Sequence, residues 1–169
     1  QSRAIAQRVC GRAVALGFSA EVVTVHAFDE VNEGRLRDLR YAALTRRFGE
    51  PGAPKTALLT GHHADDVADG ILLSTLGLTA ATRPMLAERP LAPALTLCRP
   101  FVSLSQSTLR GALSAAGAPR PVVDAADRRE QNTRARLRRT LGPALAALQP
   151  RWAETVVRRA KSRPPPDPA

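Results

Sequence analysis

Lys55-Thr56-Ala57-Leu58-Leu59-Thr60-Gly61-His62-His63-Ala64-Asp65-Asp66 is the stretch whose reading decides the fold. Lys55 to Leu59 is an apolar run of strand length. From Asp65 to about Leu76, Val67, Ile71 and Leu72 recur at i, i+4 and i+5, which predicts an amphipathic helix. Two imidazoles and two carboxylates are thus packed into one strand-to-helix turn. In an open α/β sheet, ligands bind outside the carboxyl ends of the strands, at turns of this kind. Grouping such charges is costly unless a ligand, a metal or a cationic substrate uses them. His62, His63, Asp65 and Asp66 are therefore the first candidate site. Three uses stay open on the residues alone: Mg²⁺ or another divalent ion, a substrate ammonium, and plain compensation of a positive helix N-terminus.

Outward from this turn, helices and strands alternate. Ile5, Val9 and Ala13 mark an opening helix that Gly17 ends, and Glu21 to Ala27 is rich in β-branched residues and reads as a strand. Asn32 is placed to cap a helix from Glu33 to about Phe48. Thr79 to Pro93, broken by prolines, reads as a long surface loop. Ala94 to Cys98 reads as another strand, Ser105 caps a helix that runs to about Ala116, and Pro121-Val122-Val123 offers an edge strand. Gln131 through Leu148 and Arg151 to Lys161 are helical in pattern. The expected fold is α/β, a Rossmann-like parallel sheet with helices on both faces, followed by a basic helical segment. The expected organisation is an α/β domain over 1–127, basic helices over 128–162 and a Pro-rich disordered tail over 163–169.

The chain has 169 residues, enough for one domain with a real core, and a net charge of +10. The charge is unevenly placed. Residues 1–127 hold 14 basic and 12 acidic side chains, whereas residues 128–163 hold 11 basic side chains against Glu130 and Glu154. Arginine forks match phosphate oxygens, so a polyanion, most naturally a nucleic acid, is the expected partner of that end. Arg134, Arg136, Arg138 and Arg139 open its first helix and suit phosphate contacts that set position. Trp152 has no aromatic neighbours and reads as core. Cys10 and Cys98 read as reduced core residues, so a cytoplasmic location is the default, and no stretch has the apolar length of a membrane span. The chain starts at Gln1 inside a helical pattern, and an N-terminal truncation is expected.

Four motifs in order resemble one family. The helix Asn32-Glu33-Gly34-Arg35-Leu36-Arg37-Asp38-Leu39-Arg40-Tyr41, the turn Gly61-His62-His63-Ala64-Asp65-Asp66, and Arg99-Pro100-Phe101 with the Ser105-capped helix come first. Asp124, Arg134 and Gly142-Pro143-Ala144-Leu145 follow at matching spacing. Together they resemble the tRNA(Ile)-lysidine synthase family of PP-loop ATP-pyrophosphatases over roughly residues 1–148. The resemblance implies an ATP-dependent ligase with Mg²⁺. It would attach free L-lysine to the wobble cytidine of a tRNA(Ile) with a CAU anticodon, through an adenylated tRNA intermediate. It implies His62, His63, Asp65, Asp66 and Asp69 as catalytic residues, with Mg²⁺ at Asp66. Arg37, Arg40 and Arg99 would bind substrate or phosphate, and Arg134, Arg136, Arg138 and Arg139 would bind tRNA. A homodimer is compatible with it, and no membrane partner is expected.

The sequence departs from the family near this chemistry. The Ser-Gly-Gly-x-Asp-Ser loop is absent, which the expected truncation explains, and the residues as they stand should not adenylate anything. The family Gln-x-Glu-Thr is Val67-Ala68-Asp69-Gly70, one methylene shorter at the carboxylate. Two alternatives follow: an inactive relative that only binds RNA, and, more distantly, a metal-dependent phosphohydrolase built on the His/Asp turn.

Overall fold

The computed structural model describes residues 2–26, 33–52, 54–79, 85–119, 121 and 133–162. Expectations resting on Asn32, residues 122–132 and the tail 163–169 lie outside them. The described elements are α1 (Ser2–Ala15), α2 (Glu33–Phe48), β1 (Thr56–Leu59), α3 (Ala64–Thr75), β2 (Glu88–Ala92), β3 (Leu95–Cys98), α4 (Gln106–Ala115), α5 (Thr133–Thr140), α6 (Gly142–Leu148) and α7 (Trp152–Ser162).

The strands form one sheet in the order β1-β3-β2. Thr56 N–H donates to Ala94 O at 2.8 Å and Thr60 N–H to Cys98 O at 3.0 Å, an even stagger that sets β1 parallel to β3. β2 and β3 are joined by the two-residue turn Pro93-Ala94 and pair as a hairpin. The sheet is therefore small and mixed, not the larger parallel sheet expected. Two strand expectations are corrected. Residues 18–26 carry no strand: Val22, Val23 and Val25 are exposed, and β-branched side chains favour a strand only when a neighbour covers them. Conversely, the expected loop up to Pro93 contains β2. Pro90 suggested a break, but β2 lies at the sheet edge, where a missing N–H is tolerated.

The chain divides into two compact units. One comprises Gln1–Thr56 and Pro90–Thr96. In it, α1 ends at Gly17, whose φ of 84° permits the left-handed turn that brings Phe18 N–H onto Ala13 O at 3.0 Å. Val9, Val14, Leu16, Phe18 and Leu36 stay exposed.

The other unit contains α3 and the helices from α4 to α7. Its core is an apolar cluster of Ala64, Val67 and Ala68 from α3, Ala153 and Val157 from α7, and Val102, with Ile71, Met85, Trp152 and Val156 packed around it. Ala64 and Ala68 share one face of α3 at i, i+4, as Ala153 and Val157 do on α7. Small side chains at those positions let the two helices approach closely. Trp152 packs on this core as expected. Ser105 caps α4 as its position suggested: its Oγ accepts from Thr108 N–H at 3.2 Å. The single helix expected from 131 to 148 is split at Leu141, because Pro143 has no N–H to continue the ladder. Cys10 and Cys98 are outside any disulfide and only half-buried. No described helix is long and apolar enough to cross a membrane.

Candidate functional site

The β1–α3 turn holds its side chains by local bonds. Thr60 Oγ1 lies 2.9 Å from His62 Nδ1, which ties that ring to the strand end. His63 caps α3 in extended conformation, and its N–H donates to Asp66 Oδ2 at 3.0 Å. The His63 ring lies between two carboxylates, with Nδ1 3.4 Å from Asp65 Oδ2 and Nε2 3.5 Å from Asp66 Oδ2. The same Asp65 Oδ2 also accepts the Gln106 N–H, at the start of α4, at 2.7 Å.

Asp66 and Asp69, three residues apart, share a face of α3. One guanidinium spans both. Arg138 Nη2 donates to Asp66 Oδ1 at 2.7 Å and Arg138 Nε donates to Asp69 Oδ2 at 2.6 Å. Asp69 is only 1% exposed, and its second oxygen, Oδ1, is buried without a hydrogen-bond partner among the described residues. Beside it lies a cavity of about 530 Å³ whose walls include Asp65, Asp69, Gln106, Arg110, Arg138 and Trp152.

The electrostatics follow from this geometry. Burial pushes the Asp69 carboxyl up, and the charges of Arg138 and Arg134 offset that only in part. For Asp66 burial also acts upward, but the His63 N–H, His63 and Arg138 outweigh it and hold the carboxyl below its ordinary value. Asp65 is likewise held low, burial being outweighed by His63 and the Gln106 N–H. Burial alone would lower Arg138, yet its two carboxylate partners raise it, so it stays charged.

The expected residues thus separate by what they touch. His63, Asp65, Asp66 and Asp69 come together, joined by Arg138. Arg138 was expected to face RNA, but its fork is engaged inside the protein. Arg134, half-buried on the same face of α5, acts on Asp69 through its charge. Arg136 and Arg139 are exposed. Arg99 is a correction: it is buried, donates from Nη1 to Leu86 O at 2.6 Å, and braces the segment before β2 instead of offering itself to a phosphate. Arg37 and Arg40 are exposed on α2, in the other unit, where Arg37 pairs with Asp38 at 3.7 Å. One residue escaped the sequence reading. Glu154 on α7 accepts Ser105 N–H at 3.1 Å and pairs with Arg151. Its only sequence signal is an acid in a basic helix.

The donor set also decides what the turn can hold. Both oxygens of Asp66 are committed, one to Arg138 and one to His63 N–H, so the expected Mg²⁺ at Asp66 does not fit. Among the described residues no group of three or more His, Cys, Asp or Glu is placed to hold a metal. Phosphates of ATP do not fit the starts of α3 and α4 either. The N-terminus of α3 carries Asp66, and that of α4 carries Asp65 and Glu154, where an anion would otherwise bind.

The fold and turn define an α/β protein with an acid–guanidinium site at a strand-to-helix crossover. Residues 1–145 match the PP-loop domain, and the chain belongs to that family. It is 40% identical over 133 residues to a tRNA(Ile)-lysidine synthase of Salinispora tropica, covering 76% of this chain and 38% of the relative. To the enzyme of that name from Salinispora arenicola it is 38% identical over the same shares. The likeness to the tRNA(Ile)-lysidine synthase of Ralstonia nicotianae is 35% over 113 residues, 61% of this chain and 23% of the relative. The chain thus spans about 38% of the length of its Salinispora relatives.

Proposed function

We propose that this chain is part of an ATP-dependent ligase of the tRNA(Ile)-lysidine synthase type. It would act in the cytoplasm, joining free L-lysine to the wobble cytidine of a tRNA(Ile) with a CAU anticodon. The observation that carries the reading is Asp69: buried, held on one side by Arg138, with its second oxygen unpartnered among the described residues, in a residue that helps line the cavity. A buried carboxylate oxygen with no partner is what an incoming ammonium would satisfy. The relatives' names supply the rest, since lysine presents such a group and must give up a proton before it can attack carbon.

In this reading the activation of the base is supplied by ATP, and these residues handle the amine. Arg138 fixes the Asp66 and Asp69 carboxylates in place. Asp69 Oδ1 orients the ammonium, and burial, by raising the Asp69 carboxyl, makes it a stronger base than an exposed aspartate. The proton leaves lysine for Asp69, and the neutral amine is free to act as nucleophile. His62 and His63 line the turn, Arg37 and Arg40 serve phosphate or the reacting base, and the exposed Arg136 and Arg139 contact tRNA. In this proposal residues 1–127 are a partial nucleotide-binding domain and 128–162 a basic helical segment.

Calorimetric titration of lysine into the full chain tests this. Losing one charge-assisted hydrogen bond costs about 1.5–3 kcal/mol, so Asp69→Asn should bind lysine about 10- to 100-fold more weakly with its circular dichroism unchanged. Equal affinity in the variant would remove Asp69 from the substrate site. One observation favours a second reading, a relative that binds RNA without turnover: the N-termini of α3 and α4, beside the candidate site, are filled by carboxylates. Lysine-dependent AMP release from ATP and tRNA separates the two.

A further inference from the structure

The matched PP-loop segment ends at residue 145, and α7 lies beyond it. Against α7 is a second cavity, of about 320 Å³, distinct from the one beside Asp69. Its walls are Ser103, Arg151, Glu154, Val157, Arg158 and Lys161. Arg158 and Lys161, three residues apart on α7, place two cations on one side of the helix, and Arg151 stands just before its start. The lone acid among them is already occupied, because Glu154 accepts Ser105 N–H and pairs with Arg151. Lys161 Nζ donates to Ser103 Oγ at 3.0 Å, which fixes an ammonium at the rim. Arg158 is exposed and has no acidic partner among the described residues. Val157 supplies an apolar floor.

We propose that this α7 groove is a contact for the phosphodiester backbone of RNA. It is separate from the arginines of α5 and rests on the reading above that the substrate is an RNA. The groove is rimmed by exposed cations, so it suits a strand passing over it better than an enclosed small molecule. Its surplus of positive charge continues the excess of residues 128–163, where 11 basic side chains meet two acids. Arginine and lysine ranged along a helix side, with a hydroxyl between them, form the donor set that binds phosphate oxygens without reading sequence. The competing explanation is local. Arg159 and Lys161 stand in the last turn of α7, where cations complement the helix dipole. That explanation covers Lys161 but not Arg158, which lies on the groove side of the helix.

Fluorescence anisotropy with a tRNA transcript, at salt from about 50 to 200 mM, separates the two explanations. The double variant Arg158→Ala/Lys161→Ala of the full chain should bind about tenfold more weakly at low salt. Its plot of log affinity against log salt should be shallower by about 1.5 to 2, two phosphate contacts having been lost. Arg158→Gln/Lys161→Gln keeps the aliphatic stems and carries the comparison if the alanine variant melts early. Wild-type affinity and slope in both variants would overturn the groove. If Arg136→Ala/Arg139→Ala alone then flattened the slope, the RNA would lie on α5 and the broader reading would stand. No salt-dependent tRNA binding by the wild type would remove the groove and the RNA reading together.

Discussion

Arg138→Ala is the substitution in which two accounts of the same residue diverge most. If Arg138 were chiefly an RNA contact, its loss would leave the free protein as stable as before. The bridge to Asp66 and Asp69 demands otherwise. Two charge-assisted bonds of 2.7 and 2.6 Å disappear, and one of the stranded carboxylates is 1% exposed. Bonds to charged groups contribute about 1.5–3 kcal/mol each. The Arg138 side chain is 35% exposed, so solvent screens part of this, and the low end applies. The expected loss is about 3 kcal/mol, close to the range for breaking a buried ion pair. Urea unfolding followed by circular dichroism reads it as a shift of midpoint at constant slope. Part of the penalty is the charge left behind on Asp69. Adding Asp69→Asn to Arg138→Ala should therefore restore about 1 kcal/mol or more, a non-additivity expected only of residues in contact. Destabilisation within about 0.5 kcal/mol, the range of ordinary surface changes, would refute the bridge as a structural element.

Acid titration of stability should show two opposing contributions. Asp65 and Asp66 have folded values below the ordinary 3.8, so their contribution is full above that pH and is lost as pH falls through the folded values. Asp69 is raised, so its contribution is full below 3.8 and fades as pH rises through its folded value. Asp69→Asn should therefore flatten the weakly acidic limb of stability against pH and leave the fall below 3.8 in place; an unchanged weakly acidic limb would contradict the assignment. Asp65→Ala removes the acceptor for Gln106 N–H and should cost about 1 kcal/mol in thermal or urea unfolding. Asp65→Asn keeps an acceptor oxygen and should recover most of that, and a full loss with asparagine would show that charge matters more than the bond.

The parts of the fold that the sequence disclosed are those set by neighbours along the chain. β1, α3, the Ser105 cap and the turn at Gly17 each depend on a few consecutive residues, and each lies within a residue or two of its expected place. The strand read at Glu21–Ala27 failed for want of a partner, which no local pattern reports. β2 was hidden by Pro90, acceptable only because of where the strand lies in the sheet. At the site, helical spacing puts Asp66 and Asp69 three residues apart on one helix and Arg134 and Arg138 four apart on another. It could not show that the two faces meet, because that pairing belongs to packing between α3 and α5. Glu154 is the same case, an ordinary acid until α7 packs beside the start of α4.

The Arg138 bridge also has a history in time. Asp69 leaves the ribosome 69 residues ahead of the guanidinium that will neutralise it. Until α5 is made, Asp69 on α3 must either stay in water as a carboxylate or keep its proton. The α3 helix can form early on local bonds, but its acidic face cannot be sealed, and the long intervening segment must close before the charge is matched. Assembly of this unit is thus gated by its last third, and nascent chains that stop short of Thr133 carry an acidic face still open to water.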